Sequence, residues 1–249
     1  MFKVVSPKGT VILIDPWIGG NPTCWQKDDS EWQGVGIILV THGHFDHCAG
    51  LDDVLKFSPD AKVVAPYELG LFFMGQGKKN VLAMNKGGTV EIEGIKISMV
   101  GADHSSSFTD FATGAAQTLG EPAGYIVETE DGFKTYFAGD TGLTSDMKFV
   151  IADYYKPDLA VLPASGLFVM DPAQAILAAK TVKAKYAIPC HDFPEPDKAP
   201  ESANYNQFLE QYPFIRAMIG KSKEFGNLAG KNGVKAVVLD FGEMKEIKK

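Results

Sequence analysis

Three of the chain's five histidines stand with an aspartate inside six residues, His42-Gly43-His44-Phe45-Asp46-His47. Neutral imidazole and carboxylate are the donors that suit zinc and its borderline neighbours. Histidines are costly to cluster without an ion, because neighbouring rings repel once protonated and each buried ring nitrogen needs a partner. A lone histidine would read as a surface or hydrogen-bonded core residue; this concentration reads as a metal site. His42 and His44 can face one ion across Gly43, and Asp46 and His47 can then turn toward a second.

Such donors need rigid elements behind them. The apolar run Gly36 to Val40 reads as a buried strand entering a tight turn at Thr41-His42-Gly43, after which Asp46 to Phe57 reads as a helix. Ligands at the carboxyl end of a strand can converge on one point. Other strands are expected at Thr10 to Ile14, Ala61 to Ala65, Thr89 to Ile92, Ile95 to Val100, Gly124 to Glu130, Lys134 to Ala138, Leu159 to Leu162, Tyr186 to Pro189 and Val234 to Asp240, where β-branched or aromatic residues lie between turn signals. Helices are expected at Leu51 to Phe57, Pro66 to Met74, Pro172 to Thr181 and Asn204 to Met218, with proline or small polar residues at their first turns. Strands in two layers with helices outside accommodate this order.

At 249 residues and 45% hydrophobic content the chain can bury a large core, and it reads as one domain over residues 1–249. A formal charge of -7 and a pI near 5.3 argue against a broad electrostatic grip on nucleic acid and favour a small-molecule partner. Cys24, Cys48 and Cys190 are an odd count without disulfide-framework spacing, as expected in a reducing compartment. No apolar stretch reaches membrane length, and the N-terminus lacks a charged-then-apolar signal pattern. A cytoplasmic protein without a membrane partner is expected, and a homo-oligomer is left open.

The motif His42-x-His44-x-Asp46-His47 resembles that of the metallo-β-lactamase fold superfamily. Further along, Gly101-Ala102-Asp103-His104-Ser105-Ser106 is similar to its third-histidine segment, Ala138-Gly139-Asp140-Thr141-Gly142 to its bridging-aspartate segment, and Ile188-Pro189-Cys190-His191 to its final-histidine strand. Within the superfamily, Ile14-Asp15-Pro16, His104-Ser105-Ser106-Ser107, Gly139-Asp140-Thr141-Gly142 and Leu162-Pro163 are most similar to the ascorbate-6-phosphate lactonase-like branch of metal-dependent hydrolases. The resemblance covers nearly the whole chain. It implies an α+β fold, a four-layer αββα sandwich with a two-metal site along one edge of its sheets. It implies that His42, His44 and His104 hold one divalent ion, Asp46, His47 and His191 the other, and that Asp140 bridges them. Zinc is the first expectation and manganese the second. That branch carries a strand with a Gly-His-Ala-like segment ahead of the region matching Phe2 to Ile14. The chain begins too late to contain it, so Phe2 to Val5 is expected at a sheet edge. Pro163-Ala164-Ser165-Gly166-Leu167 departs from the more polar, glycine-rich loop of relatives.

The expected activity is that of a dinuclear metal-dependent hydrolase. Two ions about 3.5 to 4 Å apart would share a water, lower its pKa toward about 7 and aim a metal-bound hydroxide at a small ester, lactone or phosphorylated substrate. No separate nucleophile is needed, and neither a G-x-S-x-G elbow nor a convincing Cys-His pair is present. Asp46 is the candidate catalytic residue, orienting the hydroxide and carrying a proton to the leaving group, with ligand alone as its other reading. Asp15 reads as a carboxylate that hydrogen-bonds the metal-binding loop, or as a turn residue. Cys48 and Cys190 are expected to be buried for structure. Ser105, Ser106 and Ser107 either contact substrate or form turns. Phe108 to Ala123 and Asp192 to Asn204 read either as loops bordering the pocket or as inert surface connections. The competing readings are a metal-dependent nuclease or phosphodiesterase, a non-catalytic metal or ligand sensor, and a di-iron protein of the same fold, against which His44 argues.

Overall fold

Strand-forming runs dominate the computed structural model, which describes residues 1–24, 29–110, 112–198 and 204–249. One sheet runs in the order β1 (Phe2–Val5), β2 (Val11–Ile14), β3 (Val35–Leu39), β4 (Lys62–Pro66) and β5 (Val81–Met84). β1 and β2 form an antiparallel hairpin that leaves β1 at the edge, and β2 to β5 run parallel. The other sheet contains β6 (Thr89–Ile92), β7 (Ile95–Gly101), β10 (Ala123–Glu128), β11 (Lys134–Phe137), β12 (Leu159–Pro163) and β13 (Tyr186–Cys190), ordered β13-β12-β11-β10-β7-β6. A separate ribbon pairs β8 (Ser107–Asp110) with β9 (Ala115–Thr118).

The period-2 alternation of strand side chains sorts the apolar residues into layers. Ile37 and Leu39 of β3 meet Tyr125 and Val127 of β10 and Val161 of β12 in a core between the sheets. Ile38 points the other way, toward α1 (Phe45–Cys48), α2 (Leu51–Phe57) and α3 (Tyr67–Gly75), where it packs with Cys48, Val54 and Leu69. On the far side, Ile126 of β10 and Ala160 and Leu162 of β12 pack with Met147 and Ile151 of a π-helix (Met147–Tyr155) and with α4 (Pro172–Val182). The result is the expected four-layer α+β sandwich. A smaller core gathers Phe193, Tyr205 and Leu209 of α5 (Asn204–Gln211) with Ile215 and Met218. The last helix, α6 (Lys221–Lys231), buries Phe225 and Ala229 against the α4 side.

α4 begins where a capping box is formed: the Asp171 carboxylate accepts from the Gln174 amide at 2.7 Å, the Gln174 side chain accepts from the Asp171 N–H, and Pro172 fills the first turn.

Several expectations differ from the structure. The helix expected from Asn204 to Met218 is broken into α5 and a 3-10 turn, Pro213–Met218. Tyr212, ahead of Pro213, is at φ -126 and ψ 70, because the proline ring disfavours helical geometry in its predecessor. The helix expected from Asp46 to Phe57 is interrupted at Ala49-Gly50, giving α1 and α2. The strand expected at Val234 to Asp240 makes only a bridge to β13, with Ala187 donating to Lys235 at 3.1 Å and Val237 donating to Ala187 at 2.8 Å. The next donor on that side of β13 would be residue 189, and Pro189 has no N–H to give. Phe108 to Ala123 holds the β8–β9 ribbon in place of a plain loop, and α6 and the π-helix lie where no helix was expected.

Candidate metal centre

The segments singled out for chemistry follow the carboxyl ends of strands, and Asp46 and His47 are carried on α1, which begins a few residues after β3. Asp15 follows β2, His42 follows β3 after a two-residue step, His104 follows β7, Asp140 follows β11 and His191 follows β13. β7 and β11 are both antiparallel to β10, so they share a direction, and β12 and β13 run parallel to β11. Their carboxyl ends therefore emerge on one rim. Hydrogen bonds fasten the sheets together beneath it: the Tyr125 hydroxyl donates to Val40 at 2.8 Å, and Ala123 N–H donates to Thr41 at 3.0 Å.

The turn before Asp140 requires glycine. Gly139 has φ +64, and a Cβ there would stand 2.8 Å from the Ala123 carbonyl oxygen and 3.0 Å from Thr41. At Gly43 a Cβ would come within 3.2 Å of the Ser107 backbone. Both glycines let the ligand-bearing loops approach one another.

All seven sequence candidates are brought together. His42 Nε2 lies 2.9 Å from His44 Nδ1, and the His104 ring centroid is 5.2 Å from each of those rings. One donor atom from each of these three histidines lies within 4.8 Å of the others, and the same holds for Asp46, His47 and His191. Asp140 stands between the two groups. Its Oδ1 is 3.5 Å from His47 Nε2, while its Oδ2 is 2.9 Å from His191 Nε2 and 3.6 Å from His104 Nε2. Asp46 Oδ2 is 3.3 Å from His47 Nε2 and 3.4 Å from His191 Nε2. His42, His47 and Asp140 are buried, whereas His44, Asp46, His104 and His191 are partly open to the cavity that the cluster lines.

A chain of hydrogen bonds turns these rings inward. Asp15 accepts from the Thr41 backbone N–H at 2.7 Å, from the Thr41 hydroxyl at 2.8 Å and from His47 Nδ1 at 2.8 Å. With its one proton given to Asp15, the Thr41 oxygen accepts from His42 Nδ1 at 3.0 Å. This network assigns the Nδ1–H tautomer to His42 and places protons on Nδ1 of His47, leaving the Nε2 atoms to face the centre. On the opposite side, Ser165, buried on the loop after β12, accepts from His191 Nδ1 at 3.1 Å. Asp15 and His191 adopt φ 54 and 63, a left-handed conformation that non-glycine residues seldom take and that clusters at functional sites.

The donor set fits a metal. His47 Nε2 is buried without a hydrogen-bond partner, although carboxylate oxygens lie near it. It points into a space ringed by nitrogen and oxygen donors, which an ion would satisfy. Burial pushes the pKa values of His42, His44 and His104 down, keeping their rings neutral as ligation requires. Burial also opposes charge on His47 and His191, but Asp140 and Asp46 outweigh it; His47 is raised well above the usual value and His191 to about 10. In return, Asp140 and Asp46 are held well below the carboxylate range, burial being outweighed by His191 and His47 for Asp140 and by His47 and His191 for Asp46. The ion-free centre thus sets imidazolium charges against carboxylates, and a bound cation would replace those protons.

The remaining candidates take structural places. Cys48 is buried with its thiol donating to Gly43 at 3.5 Å, and burial raises its pKa to about 12. Cys190, expected to be buried, is half-buried and lines the cavity, and desolvation raises its thiol far above the usual range. Ser106 is buried, accepting from Gly43 N–H at 3.2 Å and donating to Leu119 at 3.4 Å, so it ties the metal loop to the ribbon. Ser105 lies 3.4 Å from His44 Nε2, and Ser107 begins β8 and lines the cavity. Of the segment from Asp192 onward, Asp192 to Glu195 and Lys198 line the cavity, which favours the pocket-bordering reading; residues 199–203 of that segment lie outside the described residues. Sequence reasoning missed Thr41 and Ser165. Thr41 adjoins the motif and could have been found from its position, whereas Ser165 lies 26 residues from its partner and carries no local signal.

The family model of the β-lactamase superfamily domain matches residues 10–191. A metal-dependent hydrolase of Roseiflexus castenholzii is 43% identical over 195 residues, which are 76% of this chain and 78% of that protein. Another, from Methanopyrus kandleri, is 40% identical over 199 residues, covering 79% of this chain and 84% of that one. Among solved structures, Igni18, a novel metallo hydrolase from Ignicoccus hospitalis, is similar with a TM-score of 0.76 and 27% identity, over 96% of this chain and 92% of its own.

Proposed function

We propose, from the premise that the chain belongs to the β-lactamase superfamily and is a metal-dependent hydrolase, that residues 1–249 form one dinuclear hydrolase domain acting on a small ester, lactone or phosphorylated compound. The observation that carries this reading is the set of overlapping three-donor groups, His42-His44-His104, His42-His47-Asp140 and Asp46-His47-His191, the middle one containing Asp140. His42, His44 and His104 would hold one divalent ion, Asp46, His47 and His191 the other, and Asp140 would reach both. Nitrogen and carboxylate donors together suit zinc first and manganese second.

When bound, two such ions lower the pKa of a water toward neutrality and polarise the substrate oxygen on which negative charge develops. The protein's own residues do the rest. Asp46 is the member of its group with a carboxylate open to the cavity, its side chain 24% exposed. From there it takes up the proton of the attacking water and hands it to the leaving group. Asp15 and Thr41 hold His47 and His42 in one orientation, so the donors need no rearrangement during turnover. Ser165 does the same for His191. The free thiols of Cys48 and Cys190 support a reducing, cytoplasmic setting; no described helix is long and apolar enough to cross a membrane.

The test is a panel of lactones, carboxylic esters, thioesters and phosphodiesters offered to protein loaded with zinc or manganese. Turnover of at least one class is expected. A protein that binds two ions per chain yet turns over none of them would favour the sensor reading.

A further inference from the structure

Beside the metal-ligand cluster the rings form one continuous wall. Trp17 meets Phe45 edge-on with centroids 5.4 Å apart and Phe208 at 5.9 Å. Phe208 stacks on Phe193 at 5.7 Å and touches Tyr212 at 5.0 Å, and Tyr212 meets Phe214 at 6.0 Å. All six line the same cavity as His44, Asp46, His104 and His191. The chain itself ties the wall to the centre, since Phe45 sits between His44 and Asp46, and Phe193 comes two residues after His191.

The wall is held from behind and open in front. Phe193 is buried in the small core with Tyr205 and Leu209, against which Phe208 and Tyr212 pack. Phe45 is 36% and Phe214 50% exposed, so apolar surface faces the cavity at a water cost that the sandwich cores do not require. An apolar wall meeting a few convergent polar groups is the make-up of a small-ligand site. Of the six described lysines that line the cavity, Lys3, Lys198, Lys223, Lys248 and Lys249 are held in ion pairs with carboxylates. Lys198 and Lys223 line the cavity near this segment, but Lys198 is ion-paired with Asp240, and Lys223 with Glu195 at 3.2 Å. Arg216, the chain's sole arginine, does not line it.

We propose that this wall receives the acyl or aryl portion of the substrate, and that the substrate is a neutral, hydrophobic carboxylic ester or lactone; the proposal rests on the hydrolase reading above. Hydrolysis breaks the acyl C–O bond and joins the water oxygen to the acyl carbon. One water proton goes to the leaving alkoxide, and the other is released to solvent as the acid ionises.

Two readouts on metal-loaded protein test this. The first is kcat/KM for p-nitrophenyl esters from acetate to octanoate. A fully buried methylene is worth about fourfold, so a partly enclosed chain should raise kcat/KM by about tenfold or more across the series. Phe208→Ala should cut the octanoate-to-acetate ratio by about fivefold or more. Phe208→Leu, which keeps apolar packing against Phe193, covers the case in which the alanine variant does not fold. Phe149→Ala, on the exposed π-helix, should leave the ratio intact. The second readout is calorimetric titration with octanoate, acetate and inorganic phosphate; octanoate should bind about tenfold or more tighter than acetate, and Phe208→Ala should lose that preference. A flat dependence on chain length with octanoate binding no tighter than acetate or phosphate would overturn the proposal, even with ester turnover intact. Octanoate preference without turnover of any ester would instead sink the hydrolase reading and leave the wall's ligand standing.

Discussion

Asp15 reaches two ligand rings at once, His47 directly and His42 through the Thr41 hydroxyl. It does so from a left-handed backbone with φ 54, a conformation that clusters at functional sites. Asp15→Ala is therefore expected to cost about 10–100-fold in metal affinity, read by competition with a chelator. Wild-type affinity in that variant would remove Asp15 from this role. Asp140→Ala should lose more, giving up metal and activity together, because its two oxygens approach donors from both groups. Cys190→Ala should keep most of both, since Cys190 belongs to neither donor group and its raised thiol stays protonated, which makes it a poor ligand. Elemental analysis of the two variants side by side tests the ligand assignment; metal lost from Cys190→Ala and kept by Asp140→Ala would reverse it.

At the scale of elements, the donors depend on how strands end. The turn after β11 passes through Gly139 so closely to Ala123 and Thr41 that no side chain fits, and its φ of +64 adds backbone strain for any other residue. Gly139→Ala is expected to destabilise the protein by about 1–3 kcal/mol or shift the loop. Since Asp140 is the next residue, metal affinity should fall with thermal stability. A variant with unchanged melting and unchanged metal content would show that the turn relaxes freely. Elsewhere prolines set the limits of elements, Pro189 by denying β13 a further donor and Pro213 by closing α5. Both prolines are visible in the sequence. What was not visible is which neighbour each would meet, so Val234 to Asp240 read as a strand on its own composition.

For the whole molecule, the centre joins loops from both sheets, so occupancy and global stability should be linked. Protein purified without chelator is expected to carry close to two divalent ions per chain, as the seven donors in overlapping three-donor groups, with Asp140 near both ends, predict, and a chelator should lower Tm. Protein that binds neither zinc nor manganese on titration would remove the site as proposed. The ion-free form should have its own pH dependence. Against burial, Asp140 and Asp46 raise His191 to about 10, above an unfolded value of about 6.5. Its protonated form therefore stabilises the ion-free fold; this contribution is whole below about pH 6.5 and is lost as pH rises through about 10. Metal affinity should rise over the same window, because the ion competes with that proton. Thermal melts across pH with and without chelator test both halves, and ion-free protein whose Tm climbs between about pH 7 and 10 would contradict them.

The expectation of a metal centre arose from the residue types and spacing of His42 to His47, while His104, Asp140 and His191 joined it through the family resemblance; the fold brings all seven side chains together. Most strands were legible too, because short, nearly continuous apolar runs between turn signals are written locally, as in Val35–Leu39 and Ala123–Glu128. Other features rest on contacts between residues far apart in the chain. Ser165 became a partner of His191 because β12 and β13 run side by side, and α6, with Gly226 and Gly230 weakening its local preference, forms because Phe225 and Ala229 find the core around α4. The aromatic wall is of the same kind. Trp17 and Phe208 are ordinary apolar residues in sequence, and only the fold brings them into contact beside the metal ligands, because burial is non-directional and a local pattern does not say which distant surface will cover it.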